Sequence, residues 1–423
     1  MGTKLAIDGG TPVRATPLRG GFHGSAVMDE REVAAVNTVL AKKRLFRFLA
    51  TGAEESEAAR IEEWYRQRLG KEYALAVNCG TASLICAMFG LDVGPGDEVI
   101  IPAHTFIATA AAVIAAGGVP VIAEIDASLN MDPVDLEKKI TPHTKAIIPV
   151  HMRGVPARMD EIMAVANRHG IPVCEDVAQS NGGSYKGKTL GSIGKVGCFS
   201  FQQYKIITSG EGGLLVTDDQ LVYDRARMQH DSAARFWEGE GSRRYDFVLS
   251  GENYRLSELA AAVFCAQMDR LDPLISHFRR IKSQIMEGIE GIAGVTPQDV
   301  PDPGGDCCIT FTFFLPTADL AKRFARALAA ENIGCGTMYD NTIPDRHIYA
   351  NWPFMMSGLA EERRAPWKSP FYKGDVKGYT RDQCPQSLDY LGRAVMTFID
   401  QNYTLEDADL VVEGIRKVAA AIL

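Results

Sequence analysis

Residues 198–213 read Cys-Phe-Ser-Phe-Gln-Gln-Tyr-Lys-Ile-Ile-Thr-Ser-Gly-Glu-Gly-Gly, an apolar run that leads into a glycine-rich turn. The lysine of this run is Lys205. Burial among apolar side chains lowers the pKa of a lysine amine because it disfavours the ammonium form, and a neutral amine is what Schiff-base chemistry needs. The alternative is a surface lysine whose methylene stem lies along apolar neighbours. The segment alone does not decide between the two.

Apolar runs of strand length recur on both sides of this segment, and most are separated by helical stretches or Gly/Pro turns. Short, continuous apolar strands that alternate with helices indicate a mostly parallel sheet covered on both faces. The sequence therefore predicts an α/β domain with seven strands. They are Tyr73–Asn78, Glu98–Pro102, Pro120–Ile125, Ala146–His151, Ile171–Glu175, Val196–Phe201 and Gly213–Thr217. The predicted helices among them are Thr81–Phe89, Ile107–Ala116, Pro133–Lys139 and Met159–Arg168.

The pattern divides the chain into three parts. Residues 1–30 show no period and are predicted to form an arm on the surface, residues 31–270 the large α/β domain, and residues 271–423 a smaller α+β domain. Helices are predicted before the first strand at Glu30–Leu45 and Glu54–Leu69. After the last strand the predicted elements are helices at Leu256–Leu271, Ile275–Ile289, Ala318–Glu331, Ser387–Ile399 and Thr404–Leu423, and strands at Cys307–Leu315 and Gly334–Tyr339.

Composition excludes several classes of function. A net charge of -8 argues against nucleic acid or an anionic membrane as the main partner. The longest apolar run, 107–125, is broken by Gly117-Gly118-Val119-Pro120 and is interpreted as a buried helix followed by a strand. The first residues lack an apolar core of signal-peptide length. The 9 cysteines form no Cys-x-x-Cys pair, and the 8 histidines no His-x-x-x-His pair, so we expect a reduced, cytoplasmic protein without a metal.

Four predicted strand ends carry residues that could bind a ligand or take part in a reaction. Ligands of open α/β sheets bind at the carboxyl ends of the strands. Asn78-Cys79-Gly80-Thr81-Ala82-Ser83 leads from a strand into a helix, where free backbone N–H groups favour a phosphate, although many α/β proteins cap a helix in this way. Phe106 follows the second strand, where it is either an aromatic plate or part of the core.

A buried acid and an amine follow two further strands. Asp176 follows an apolar strand, and a buried carboxylate needs a cation, either a protonated pyridine nitrogen or a structural arginine. Ser200 and Lys205 come with the sixth strand. A phosphate cradle, an aromatic plate, an acid and an amine together suit pyridoxal phosphate. A nucleotide-binding enzyme is the competing interpretation, but the chain lacks both Gly-x-Gly-x-x-Gly after a first strand and the Walker pattern.

Five motifs carry a resemblance that extends from about Leu5 to the C-terminus. They are Asn78-Cys79-Gly80-Thr81-Ala82-Ser83, Pro102-Ala103-His104-Thr105-Phe106-Ile107-Ala108-Thr109, Glu175-Asp176-Val177-Ala178-Gln179, Phe199-Ser200-Phe201 through Lys205 to Gly213, and Asn253-Tyr254-Arg255-Leu256-Ser257-Glu258. On these residues the chain closely resembles the DegT/DnrJ/EryC1/StrS family of sugar aminotransferases. The resemblance implies fold type I, that of pyridoxal-phosphate-dependent transferases.

The resemblance also implies a role for each motif residue. Lys205 would form the imine with the cofactor and Asp176 would pair with its pyridine nitrogen. Phe106 would stack on the ring and Gln179 would lie near the 3-hydroxyl. The phosphate would be held by Gly80, Thr81, Ser200 and, from the partner subunit of a homodimer, the residue that matches Asn253. Family members with histidine in place of the lysine are dehydratases, so Lys205 favours transamination from glutamate or glutamine.

The acceptor is less well defined by the sequence. The segment Leu5–Arg14 resembles the branch that acts on keto-cyclitols and aminohydroxybenzoate precursors, whereas Phe46-Arg47-Phe48 and His151-Met152-Arg153-Gly154 resemble the amino-octulosonate branch. Nucleotide-sugar members carry Gly-Trp where this chain has Leu45-Phe46. The sequence therefore favours a small keto-sugar, keto-acid sugar or keto-cyclitol as acceptor. Arg47, Arg153 and His347 are candidate substrate contacts, or else ordinary ion-pair and loop residues. A dehydratase or synthase of the aminohydroxybenzoate type is the alternative function, and a non-catalytic sensor is a third possibility.

Overall fold

The computed structural model describes residues 4–18, 23–49, 56–232, 234, 249–340, 342, 344–356 and 364–423. The α-helices are α1 (His23–Ala26), α2 (Glu30–Lys42), α3 (Glu57–Leu69), α4 (Gly80–Gly90), α5 (Ala108–Ala115), α6 (Pro133–Lys139), α7 (Met159–His169), α8 (Gln220–His230), α9 (Glu258–Gln267), α10 (Leu271–Ile289), α11 (Ala318–Ala330), α12 (Pro353–Met356), α13 (Pro385–Arg393) and α14 (Leu405–Ile422). The predicted start of α3 at Glu54 lies outside the described residues.

The strands are β1 (Tyr73–Val77), β2 (Glu98–Pro102), β3 (Val119–Ala123), β4 (Thr144–Ile147), β5 (Cys174–Asp176), β6 (Ser184–Tyr185), β7 (Lys188–Thr189), β8 (Val196–Ser200), β9 (Gly213–Thr217), β10 (Thr296–Pro297), β11 (Thr310–Phe314), β12 (Gly336–Thr337) and β13 (Ala394–Phe398). Each of the strands predicted for the large domain is present, within a few residues at its ends, and β2 and β9 have the predicted bounds.

The central sheet has the order β1-β9-β8-β5-β4-β2-β3. Its two hydrogen-bonded parts are β1-β9-β8-β5 and β3-β2-β4, and parallel bridges from Ile147 to Val173 and from Val150 to Asp176 connect β4 to β5. Only β9 runs antiparallel to its neighbours, so the predicted seven-stranded, mostly parallel sheet is confirmed. Its carboxyl ends, except that of β9, lie at one edge.

The sheet is buried on both faces because its strands are apolar along their whole length. In β1, Ala74 and Ala76 belong to one hydrophobic cluster, whereas Leu75 and Val77 belong to another. This alternation follows from the two-residue period of a strand. Helices cover both faces, as expected for parallel sheets.

A second sheet follows in the C-terminal part, with the order β10-β11-β13-β12 and antiparallel pairing throughout. Here the predicted helix over Ser387–Ile399 is wrong beyond Arg393, because Ala394–Phe398 forms β13. That strand pairs with β11, from Thr310↔Phe398 to Phe314↔Ala394. The β-branched Val395 and Thr397 favour a strand, and pairing with a neighbour decides for it over the helical continuation.

The N-terminal arm is bound at two distant places. Glu331, fully buried, accepts hydrogen bonds from the backbone N–H groups of Ala6 (2.9 Å) and Val13 (2.9 Å) and from Lys417 Nζ (2.8 Å). At the other end of the arm, the N–H of Gly24 donates to the carbonyl of Lys205 (3.2 Å). A Cβ on Gly24 would lie only 2.8 Å from Ile207 Cα, so the arm packs directly against the lysine loop.

The predicted border between the large and small domains, at residue 270, falls at the 3-10 turn between α9 and α10. One hydrophobic cluster extends from α9 through α10 to β11, and the division into domains stays a prediction. Among the described helices, none is long and apolar enough to cross a membrane.

Candidate active site

The predicted phosphate cradle lies where α4 begins beside the end of β8. A Cβ on Gly80 would lie 2.6 Å from Ser200 Cβ and 2.9 Å from Ser200 Oγ, so only glycine allows this approach. Cys79 caps α4 through its Sγ, which accepts from Ala82 N (3.3 Å). The N–H groups of Gly80 and Thr81 have no acceptor among the described residues. These two donors, the helix dipole and the Ser200 hydroxyl fit an anion.

Asp176 ends β5 as a buried carboxylate, with 4% of its surface exposed. Its oxygens accept hydrogen bonds from Thr109 Oγ1 (3.0 Å) and from Ala178 N (3.0 Å). Burial raises the pKa of Asp176, and these bonds together with the charge of Lys205 lower it only in part. A buried carboxylate in this state is stabilised by a further cation, as a protonated ring nitrogen would be.

Lys205 lies in the loop between β8 and β9. Its backbone N–H donates to Gln202 O (2.9 Å), and Gln202 bridges to Gly210 across the loop. Burial lowers the pKa of the amine to about 8, with a smaller lowering by Arg153, while Asp176 and Glu211 raise it. The surface interpretation of Lys205 is therefore not supported: about a tenth of the amine is neutral at pH 7.

Phe106 lies at the same edge of the sheet, with 40% of its surface exposed. Its ring is beside the imidazole of His347, with 5.2 Å between centroids. The backbone N–H of Thr105 donates to His347 O (2.9 Å), which fixes the loop that carries the ring. Phe106 is therefore not a core residue, and an exposed ring at this edge can act as a plate for a planar ligand.

Gln179 and Arg153 are joined through the backbone. Gln179 Oε1 accepts from Arg153 N (3.1 Å), so the amide presents its NH₂ group as the remaining donor. This orientation fits the predicted role beside a cofactor oxygen.

Two of the three candidate substrate contacts lie together in the site. The Nη2 of Arg153 is 3.4 Å from His347 Nδ1 and 3.7 Å from Asp345 Oδ2. Burial lowers the pKa of Arg153, which Asp345 partly restores. Burial also lowers the pKa of His347. Asp345 was not singled out in the sequence, since no pattern of short range connects a loop acid with Arg153.

The third candidate, Arg47, has protein partners for both terminal nitrogens. It donates to Glu62 Oε1 (2.6 Å) and to Ala76 O (3.0 Å), and its side chain is 8% exposed. Glu62 also accepts from Ala76 N (2.8 Å). This is the ordinary ion pair that sequence reasoning left open as the alternative, and it connects α3 to β1.

Asn253 is exposed, and its chain neighbour contacts the segment that leads into the cradle. Its neighbour Tyr254 accepts a hydrogen bond from Asn78 N (2.7 Å) through its carbonyl. Asn253 Oδ1 accepts only weakly from Arg255 N (3.4 Å). Its amide is thus available at the surface, as a residue that serves a partner subunit would be.

Two residues of the site escaped sequence reasoning although they lie in or beside quoted motifs. Thr109 orients the Asp176 carboxylate, and His151 donates or accepts at Glu175 Oε2 (3.1 Å) directly behind it. Glu175 also accepts three backbone N–H groups, from Gly191, Ile193 and Gly194 (2.7–2.9 Å). The signal for Thr109 was its position three residues after Phe106. Among the described residues there is no cluster of His, Cys, Asp and Glu that could hold a metal.

The chain is similar to known proteins in sequence and in fold. GDP-perosamine synthase of Caulobacter vibrioides is 41% identical over 222 residues, which cover 52% of this chain and 58% of the length of that protein. Spore coat polysaccharide biosynthesis protein SpsC of Bacillus subtilis is 31% identical over 368 residues, 85% of this chain and 88% of that protein. The crystal structure of 3-amino-5-hydroxybenzoic acid synthase aligns with a TM-score of 0.78 at 25% identity, over 96% of this chain and 100% of that one.

The fold is fold type I, the fold of the aminotransferases and synthases to which the chain is similar in structure. Residues 27–358 match the model of the DegT/DnrJ/EryC1/StrS aminotransferase family, and the chain belongs to that family. Membership assigns it to the pyridoxal-phosphate-dependent sugar aminotransferases.

Proposed function

We propose that this chain moves an amino group from glutamate or glutamine to a keto-sugar, keto-acid sugar or keto-cyclitol. The observation that carries the proposal is that a buried carboxylate, Asp176, and an amine of lowered pKa, Lys205, lie near enough at one edge of the sheet for each charge to shift the pKa of the other. Pyridoxal phosphate, when bound, supplies the carbonyl carbon that accepts an amine and the ring that takes up electrons.

Each residue has a role that its surroundings support. The N–H groups of Gly80 and Thr81 and the hydroxyl of Ser200 would hold the phosphate. Phe106 would lie against the ring, and the free amide NH₂ of Gln179 would donate to an oxygen of the cofactor. Asp176, oriented by Thr109, would favour a protonated ring nitrogen, and Lys205 would hold or release a proton at its Nζ. With a pKa of about 8, its amine can both accept and release that proton near neutral pH.

We further propose a cytoplasmic homodimer in which the partner's copy of Asn253 completes the phosphate site. The exposed amide of Asn253 supports the dimer. The 9 cysteines, all free thiols, support a reducing compartment.

The test is spectroscopic. Purified protein should bind pyridoxal phosphate and show a visible absorbance band, which glutamate or glutamine should bleach. A Lys205→Ala variant should bind the cofactor without the wild-type band. If wild-type protein gains no band from added cofactor, the proposal is wrong.

A second candidate is a synthase that removes water, as the likeness to 3-amino-5-hydroxybenzoic acid synthase allows. It predicts a product lighter by one water with no amino donor consumed. Product mass from a screen of donors and acceptors separates the two, since aminotransfer replaces a carbonyl oxygen by an amine and consumes one donor per product.

A further inference from the structure

The guanidinium of Arg153 is a buried cation without a full set of partners. A guanidinium has five N–H donors. Its Nε has no partner among the described residues, and its one carboxylate contact, to Asp345, is 3.7 Å long. The side chain is 12% exposed, so water satisfies few of these donors.

The neighbouring imidazole does not satisfy Arg153 either. His347 Nδ1 lies 2.7 Å from Asp345 Oδ1, so this nitrogen carries the hydrogen that it donates to the carboxylate. It therefore cannot accept from Arg153 at 3.4 Å. The carboxylate of Asp345 also accepts a hydrogen bond from the backbone N–H of His347 (2.9 Å). Asp345 and His347 thus lie beside the guanidinium of Arg153 without accepting hydrogen bonds from it.

The backbone at Arg153 is held in an unusual conformation. Its φ is 55°, in the left-handed region that residues other than glycine seldom adopt. Two bonds fix it there, one from its N–H to Gln179 Oε1 (3.1 Å) and one from Thr310 Oγ1 to its carbonyl (3.2 Å). Strained residues of this kind persist where the surroundings over-determine them, often at ligand sites.

The space around the guanidinium belongs to the active site. Its charge lowers the pKa of Lys205, and it lies 5.4 Å from the ring of Phe398, which is 47% exposed. Phe106, whose ring centroid is 5.2 Å from that of His347, is also exposed. The cation therefore lies in the neighbourhood of the amine and of two exposed rings.

We propose that Arg153 binds a carboxylate of the substrate, held by two parallel N–H···O bonds, and that it selects carboxylated over neutral substrates. This inference rests on the aminotransfer proposed above. The carboxylate comes either from the amino-acid donor or from the acceptor, and the two half-reactions separate these sources.

Binding is measured first, because it needs no turnover. Glutarate, an unreactive dicarboxylate, is titrated into enzyme loaded with pyridoxal phosphate by calorimetry. Arg153→Gln should weaken glutarate about 10- to 100-fold, because hydrogen bonds to charged groups are the strong ones. The glutarate affinity of Arg153→Lys should lie between those of wild type and Arg153→Gln, since the point charge of an ammonium lacks the two parallel donors of the guanidinium. Arg158→Gln, which removes an arginine already paired with Asp126 and Asp299, should leave glutarate affinity unchanged.

Single-turnover half-reactions then assign the carboxylate. The donor arm compares glutamate with 4-aminobutyrate, which lacks the α-carboxylate. The acceptor arm compares 5-keto-D-gluconate with neutral 5-keto-D-fructose. A loss in Arg153→Gln confined to glutamate assigns the donor carboxylate, and one confined to ketogluconate assigns the acceptor carboxylate.

Equal glutarate affinity in wild type and Arg153→Gln, with both variants folded by circular dichroism, overturns the inference. Failure of the aminotransferase proposal looks different. Wild-type enzyme would then bind glutarate through Arg153, but no amino donor would bleach its absorbance band.

Discussion

Replacing Gly80 by alanine tests the phosphate cradle directly. The new Cβ would lie 2.6 Å from Ser200 Cβ, whereas carbon atoms in contact lie about 3.5–4.0 Å apart. The start of α4 and the end of β8 must then separate by about 1 Å, and two of the proposed phosphate ligands move with them.

The expected effect is larger on cofactor binding than on folding. Alanine in a helix is worth about 1 kcal/mol over glycine, and overpacking costs about 1–3 kcal/mol, so the free energy of unfolding of the apo protein should fall by about 0–2 kcal/mol. Loss of one hydrogen bond to the charged phosphate costs about 1.5–3 kcal/mol. The Kd for pyridoxal phosphate should therefore rise about 10- to 100-fold.

The assay is titration of apo protein with pyridoxal phosphate, beside thermal melts of the apo form. Gly94→Ala is the matched control, because a Cβ at Gly94 meets no atom within 4 Å. It should change neither quantity appreciably. If Gly80→Ala binds the cofactor as tightly as wild type and Gly94→Ala, the phosphate does not lie between α4 and β8, and the reasoning is refuted.

Three further predictions follow from the site. Asp176→Asn keeps the size of the side chain but removes its charge, and should lower the rate of the donor half-reaction about 10²- to 10³-fold; an unchanged single-turnover rate would contradict the role of the carboxylate. Lys205 has a folded pKa of about 8, below the unfolded value of 10.5, so the unfolded apo chain binds more protons between these values and stability rises with pH there; urea denaturation of wild type and Lys205→Met from pH 7.5 to 10.5 should show this rise only in wild type. Arg47→Met breaks the buried pair with Glu62 and should cost about 3–5 kcal/mol while leaving the KM of the folded enzyme unchanged; a raised KM at unchanged Tm would instead make Arg47 a substrate contact.

The sequence predicted the central sheet well because its strands are apolar throughout and separated by clear turns. Glu98–Pro102 and Pro133–Lys139 have the predicted bounds. The same reasoning failed at Ala394–Phe398. Gly392 lies one residue before the end of the preceding helix, and pairing with β11 makes the residues that follow a strand.

Most of the residues proposed to hold the cofactor could be singled out from the sequence because they follow the ends of strands, and strand ends converge in a parallel sheet. The contacts of Arg153 could not. They depend on a loop some 190 residues further on, which places Asp345 and His347 beside it. Arg47 shows the converse: its local sequence suits a substrate contact, but its partner Glu62 comes from a neighbouring helix.

The two attachments of the N-terminal arm have a practical consequence for expression. The arm connects Glu331 and Lys417 to the carbonyl of Lys205. Deleting residues 1–26, a common choice when an N-terminus has no regular pattern, would remove the backbone N–H that Gly24 donates to the loop of Lys205 and would expose the buried carboxylate of Glu331. Truncated protein should therefore load less pyridoxal phosphate than full-length protein, although no residue proposed to touch the cofactor is missing.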